Sequence, residues 1–227
     1  DQEKIEKHFG FNKAKIFWEI SQDAKKEVIS RMKLHNIDCD FSPGIINTTI
    51  NRKDTNNLFD EVNNLKKKYK YTKIQKLSSS ELSTIIDTDL YDGGCLDFGA
   101  GHLNPLKFVQ GLGTAAKKNN VQIFEKCCVE KIDYGKKNTI SISNGYTVVS
   151  DYLIIACNGY LGNLEPNISS RVMPINNFIL TTEVLGNNLL NSFLKNNYAV
   201  ADNKFVPNYF RPSPDNRLIF GGGENYT

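Results

Sequence analysis

Between Asp151 and Ala156 the chain reads Asp-Tyr-Leu-Ile-Ile-Ala, apolar after its first residue and without alternation, and Asn158-Gly159 follows shortly after. An unbroken apolar run of this length suits a strand buried on both faces. Such a strand needs neighbours on its edges and a layer on each side, so it constrains the architecture more than any other stretch. What precedes it has a definite order. Asn104-Pro105 is an N-cap followed by proline at the first helical position, and the helix it opens presents Phe108, Leu112, Ala115 and Ala116 before Asn119-Asn120. Val121–Phe124 reads as a short apolar strand. Val129–Tyr134, Thr139–Ser143 and Tyr146–Val149 then read as a small antiparallel meander. Helix, parallel strand, meander and buried strand ending in glycine form the second half of a dinucleotide-binding α/β domain. In such sheets ligands sit beyond the carboxyl ends of the strands. A glycine there lets backbone approach a ligand with no Cβ between them. Taken alone, a strand followed by glycine also occurs in many unrelated proteins.

The flanking sequence has a different texture. A helix is expected over 12–36, with Ile16, Ile20, Ala24, Val28 and Met32 as an i+4 ladder that Phe17 and Trp18 widen. Ile45, Ile46 and Ile50, with Thr48 and Thr49, read as a strand. A second helix starts near Asp54 as its N-cap and carries Leu58, Val62, Leu65 and Tyr69 on one face. Ser78-x-x-Glu81 is a capping-box pattern, and Tyr91–Phe98, with Gly93-Gly94 inside, reads as a hairpin or a bulged strand. After Val172 the segments Val172–Leu185, Tyr198–Ala201, Lys204–Arg211 and Arg217–Gly222 are strand-like. A short helix lies near Leu189–Leu194 and a turn at Asp215-Asn216. The expectation is an antiparallel sheet continuous with the strands before residue 100, in a two-lobed protein whose chain crosses between lobes more than once. Residues 1–100 and 166–227 fall to the sheet lobe and 101–165 to the dinucleotide-binding lobe, both incomplete in a chain that reads as an internal piece.

Composition narrows the function classes. A net charge of +3 is too small to argue for nucleic acid, and no run approaches the roughly 18 apolar residues of a membrane span. Asp1–Gly10 is charged throughout and lacks the apolar core of a signal peptide, so a cytoplasmic protein is expected. The five cysteines form no C-x-x-C pair, and His8, His35 and His102 are scattered, which argues against a metal site.

Five segments carry a family resemblance: Gly101-His102-Leu103-Asn104-Pro105, Val129-Glu130-Lys131-Ile132, Ala156–Leu161, Arg171–Ile179 and Ala199–Tyr226. They resemble the D-amino-acid oxidase superfamily of FAD-dependent oxidoreductases, and within it gamma-glutamylputrescine oxidases and related amine oxidases. The resemblance implies a mixed α/β, two-lobed fold with a partial dinucleotide-binding domain, an antiparallel substrate domain, and FAD as cofactor. It puts Val129 against the adenine through its backbone, a role compatible with its being a core valine. It sets Ala156, Asn158, Gly159 and Leu161 beside the adenosine. Tyr209 and Arg211 alternate with Phe210, so their side chains share one face of a strand. The resemblance gives Tyr209 a place facing the substrate over the flavin. A fixed arginine there suits a substrate carboxylate, although Arg211 could equally pair with Asp215 across the turn. Asn176 and Asn177 stand where relatives that oxidise small amino acids have Arg-Gly, which favours an amine with a larger polar extension. His102 could orient groups at the domain junction, or be a satisfied histidine at a helix entry.

Two departures stand out. No Gly-x-Gly-x-x-Gly occurs for the FAD pyrophosphate, since Gly111-x-Gly113 lies within a helical pattern, and the glycine-rich segment that approaches the flavin ring is also missing. The implied activity is hydride transfer from a small-molecule amine to FAD, giving an imine, then an aldehyde, with oxygen or an electron carrier as final acceptor and hydrogen peroxide in the oxygen case. The alternatives are a glycine- or sarcosine-type oxidase or dehydrogenase, or a non-catalytic remnant.

Overall fold

The computed structural model describes residues 2–225, so Tyr226, which ends the last resembling segment, lies outside them. The chain divides into two units, the first made of Asp1–Ala115 and Asn177–Glu224 and the second centred on Ala116–Asn176.

In chain order the first unit begins with α1 (Gln2–Phe9), α2 (Phe11–Leu34), β1 (Ser42–Thr49), α3 (Arg52–Lys68) and β2 (Ile74–Ser78). Next come α4 (Ser79–Ser83), β3 (Gly93–His102) and α5 (Pro105–Lys118), whose last turn enters the second unit. Local chemistry explains the helix starts. Asn51, rather than Asp54, caps α3: its side-chain oxygen accepts from the Asp54 amide at 3.0 Å, and its Nδ2 donates to the Asp54 carboxylate at 2.8 Å. At α4 the capping box closes, with Ser78 N donating to Glu81 at 2.8 Å and Glu81 N donating to Ser78 Oγ at 3.3 Å. Asn104 caps α5 by accepting from Lys107 N at 3.2 Å.

The second unit holds β4 (Val129–Asp133), β5 (Asn138–Ile142) and β6 (Thr147–Ser150), an antiparallel sheet in the order β4-β5-β6. A 3-10 turn over Asn158–Tyr160 and the short α6 (Pro166–Ser169) follow. The meander is therefore as expected, but the two apolar runs beside it are not strands. Val121–Phe124 carries no ladder, and Phe124 is 70% exposed. Asp151–Ala156 is irregular, with Tyr152 and Ile154 about nine-tenths exposed. A strand exists only where a neighbouring strand takes up its backbone hydrogen bonds, and among the described residues neither run is paired with one.

The chain then returns to the first unit through β7 (Asn176–Thr181), α7 (Asn187–Phe193), β8 (Ala199–Asp202), β9 (Tyr209–Pro212) and β10 (Leu218–Asn225). With the earlier strands these build one sheet ordered β2-β3-β1-β8-β9-β10-β7. The pairs β2–β3, β1–β3, β8–β9 and β9–β10 are antiparallel, while β1 and β8 run parallel. Tyr91–Phe98 is not a hairpin: Gly93–His102 is one long strand between β1 and β2, and it is irregular, since β1 passes from Pro43 to Ile45 while its partner on β3 passes from Gly101 to Asp97, leaving the extra residues on β3.

Register decides which side chains share a face. Leu96, Ile46, Val200, Phe210 and Phe220 pair in turn across four strand boundaries. They pack with Leu82, Ile86 and Leu194 into one core. The adjacent row, Cys95, Asn47, Ala201, Tyr209 and Gly221, points to the opposite face. There Cys95 packs with Val62, Leu65 and Ile74, and Trp18 joins them from α2. Only part of the anticipated stripe of α2 packs: Trp18, Val28 and Met32 are partly buried, while Ala24 is exposed. Ile16 and Ile20 are more than half exposed, whereas Ala14 is fully buried. Trp18 lies 5.2 Å from the rings of both Tyr69 and Tyr71, and Lys25 sits 5.1 Å from the Tyr71 centroid. The large indole contact fixes the rotation of the helix and leaves the isoleucines on the open side.

Candidate active site

β9 positions the two residues singled out for substrate chemistry. Phe210 is buried in the core, so Tyr209 and Arg211 project from the other face, as strand alternation requires. The Tyr209 hydroxyl donates to Asn177 Oδ1 at 2.5 Å. Asn177 sits on β7 at the sheet edge, with β10 between it and Tyr209. Alternation sends the neighbouring Asn176 to the opposite face, and it is exposed. The structure thus brings Tyr209 and Asn177 together and leaves Asn176 apart.

Arg211 is half-buried and makes no ion pair among the described residues. Its Nη2 donates to the Leu103 carbonyl and its Nη1 to the Pro212 carbonyl, both at 3.4 Å. The pairing with Asp215 does not form, because Arg217 takes that carboxylate at 2.9 Å. Burial pulls the Arg211 guanidinium below the usual arginine range, and the Asp40 charge opposes it. Asp40 is itself engaged, accepting from Lys107 at 2.9 Å and from Asn104 at 3.5 Å. The Lys107 bond holds its carboxyl below the ordinary aspartate range.

Beside Arg211, His102 is only half satisfied. Its Nε2 donates to the Asn197 carbonyl at 2.9 Å, while Nδ1 is buried with no partner among the described residues. Burial lowers its pKa; the Asn197 hydrogen bond works against that shift and the Arg211 charge adds to it. Neither the Asp40–Lys107 pair nor the Tyr209–Asn177 link was legible beforehand, since each joins residues far apart in sequence. The Asn104-Pro105 cap was the one local signal pointing to this corner.

The candidate cofactor residues lie in the second unit. Val129 opens β4, is half-exposed, and stands opposite Ile142 at a register shift. Ala156 is exposed in the segment that lacks a ladder. Asn158 and Gly159 form the 3-10 turn, Asn158 with φ of 49°, and Leu161 is buried just beyond it. Asn158, Gly159 and Leu161 line one open groove of about 540 Å³ with Pro166, Ser169 and Val172. Val129 and Ala156 do not line it. A Cβ built on Gly159 would meet nothing within 4 Å, so the chain's own packing does not demand glycine there. A concave wall with apolar Leu161 and Val172 and polar Asn158 and Ser169 fits the adenosine end of FAD. The sequence offers no glycine loop for the pyrophosphate. No group of histidine, cysteine and carboxylate side chains able to hold a metal occurs among the described residues. All five cysteines are free, and burial raises the Cys95 thiol to about 11. No helix among the described residues is long and apolar enough to cross a membrane.

Comparison with known proteins bears on the family and the fold. The chain is 30% identical over 227 residues to gamma-glutamylputrescine oxidoreductase of Escherichia coli (strain K12), matching all of this chain and 53% of that protein. Its fold matches glycine oxidase from Geobacillus kaustophilus with a TM-score of 0.69 at 15% identity, covering 91% of this chain and 55% of that one. It also matches L-proline dehydrogenase from P. horikoshii with a TM-score of 0.71 at 12% identity, covering 91% and 56%. The chain spans about half the length of the curated relatives it matches. Residues 5–227 match the DAO family model of FAD dependent oxidoreductases, and the chain belongs to that FAD-binding family.

Proposed function

We propose that the protein oxidises a carboxylate-bearing amine of the gamma-glutamylputrescine kind. The observation that carries this reading is Arg211, a half-buried guanidinium with no carboxylate partner among the described residues, two positions from Tyr209 on one strand face. A cation so placed suits a substrate carboxylate, since a charge-assisted hydrogen bond to a planar guanidinium fixes both position and orientation. The relative named for gamma-glutamylputrescine supports this substrate class.

In this reading Arg211 holds the carboxylate and Tyr209 faces the reacting end. The Tyr209 proton is engaged with Asn177, so the phenol oxygen offers lone pairs toward a ligand N–H. Asn177 thereby fixes the tyrosine, and Asn176 forms part of the polar surround. The FAD would be held by the Val129 backbone and by Ala156, Asn158, Gly159 and Leu161 along the adenosine. When bound, FAD supplies the two-electron acceptor for the hydride leaving the carbon next to nitrogen. Orientation of that carbon and exclusion of water are the protein's task, and neither needs a strong side-chain base. With oxygen as acceptor the net reaction converts amine, water and oxygen to aldehyde, ammonia and hydrogen peroxide. We assign residues 101–165 to the FAD-binding lobe, and 1–100 with 166–227 to the substrate lobe.

The test is to add gamma-glutamylputrescine to the protein at its full natural length, loaded with FAD, and follow flavin bleaching and peroxide together. Both are expected. Bleaching without peroxide points to a dehydrogenase, and turnover of glycine or sarcosine alone would overturn the proposed substrate.

A further inference from the structure

The Tyr209–Asn177 hydrogen bond crosses a strand, and the residue it crosses is Gly221. In the register of β9 and β10, Gly221 stands directly opposite Tyr209. A Cβ built on Gly221 would lie 2.1 Å from Cε2 and 2.2 Å from Cζ of the Tyr209 ring, and 2.5 Å from its hydroxyl oxygen. The ring therefore lies flat over the bare backbone of β10, and its hydroxyl reaches the amide of Asn177 on the next strand. Left-handed backbone does not explain the glycine, since Gly223 has positive φ and Gly221 does not. What the site requires is the absent side chain. The far end of the ring is the part that would collide, so the ring can swing clear, but its hydroxyl moves with it and away from Asn177 Oδ1.

We infer that Gly221 is a positioning residue that aims Tyr209 across the sheet at Asn177. With any side chain at 221 the phenol must lift off β10, lose Asn177 and present a different face to a ligand. This inference rests on the reading of Tyr209 as substrate-facing only for its catalytic consequence. The geometric claim stands apart from it.

The experiment is a double-mutant cycle with Gly221→Ala, Tyr209→Ala and the combined variant, made in the FAD-loaded protein at its full natural length. In the wild-type background Gly221→Ala is expected to lower Tm by roughly 5 °C, the scale of an overpacked contact. In the Tyr209→Ala background the same change should leave Tm unchanged or raise it, because glycine inside a strand is otherwise the weaker residue. An equal drop in both backgrounds overturns the inference. Should Gly221→Ala alone fail to fold, recovery of folded protein in the combined variant supports the inference, and failure of both refutes it. A second arm reads turnover. Gly221→Ala should impair amine oxidation as much as Tyr209→Phe, with no further loss on combining them, and additive losses would separate Gly221 from Tyr209. If the wild-type protein oxidises no amine, the functional proposal fails while the Tm cycle still decides the role of Gly221.

Discussion

Replacing Arg211 by methionine removes the charge while keeping much of the aliphatic stem. In the structure the guanidinium makes only two long hydrogen bonds to carbonyls and no ion pair among the described residues, so its loss should cost little stability. What it removes is a charged donor for a substrate carboxylate. A hydrogen bond to a charged partner contributes about 1.5–3 kcal/mol, and each 1.4 kcal/mol is about tenfold in affinity. Arg211 is half-buried, so water screens the pair only in part, and this range applies without the larger figures of a dry interior. Arg211→Met should therefore raise KM for gamma-glutamylputrescine about 10- to 100-fold. The assay compares this substrate with putrescine, which has an amine but no carboxylate. KM for putrescine should change less than about threefold, since only differential contacts alter discrimination. Equal losses on both substrates would refute the carboxylate role and leave Arg211 as a structural residue.

Other perturbations test the fold around the site. Asn51→Ala removes the cap of α3 and should lower stability by about 1 kcal/mol in a urea titration, with the m-value unchanged. Leu194→Ala empties a position only 2% exposed in the main core, and a loss of about 2–5 kcal/mol is expected by the same measurement. The folded-state pKa of His102 is depressed by burial, so its neutral form is the one that supports the fold. Its contribution is complete above the unfolded value of about 6.5 and declines as pH falls through the lower folded value. His102→Gln, which preserves a donor toward Asn197, should flatten the drop in Tm below pH 6.5, whereas an unchanged pH profile would show that His102 does not titrate on unfolding.

Features set by neighbours in sequence were legible before the structure. The α4 capping box and the Asn104-Pro105 start of α5 close within four residues, so the residue types alone specify them. The alternation of Tyr209, Phe210 and Arg211 likewise survived, because period-two geometry is local. Apolar runs were less informative. Val121–Phe124 and Asp151–Ala156 state a need for burial, yet strand formation depends on partners that sequence periodicity does not identify. In α2 both the isoleucine ladder and the Trp18 side satisfy a helical period, and only the aromatic contacts with Tyr69 and Tyr71 decide between them.

The same division separates the two arginines of the β9–β10 hairpin. Arg211 and Arg217 flank one turn, and either could reach Asp215. Arg217 wins through a compact local set, in which Ser213 Oγ also donates to Asp215 and accepts from the Arg217 amide at 3.0 Å. That hydroxyl-anchored turn closes on its own residues and leaves Arg211 without the carboxylate. The charge of Arg211 is thus left without that carboxylate by the arrangement of Ser213, Asp215 and Arg217, just as the proposed aim of Tyr209 depends on a missing side chain at 221. In both cases the candidate residue was readable by type. Its availability was set by a neighbour across the turn or the sheet, where pairing order rather than sequence distance decides what meets.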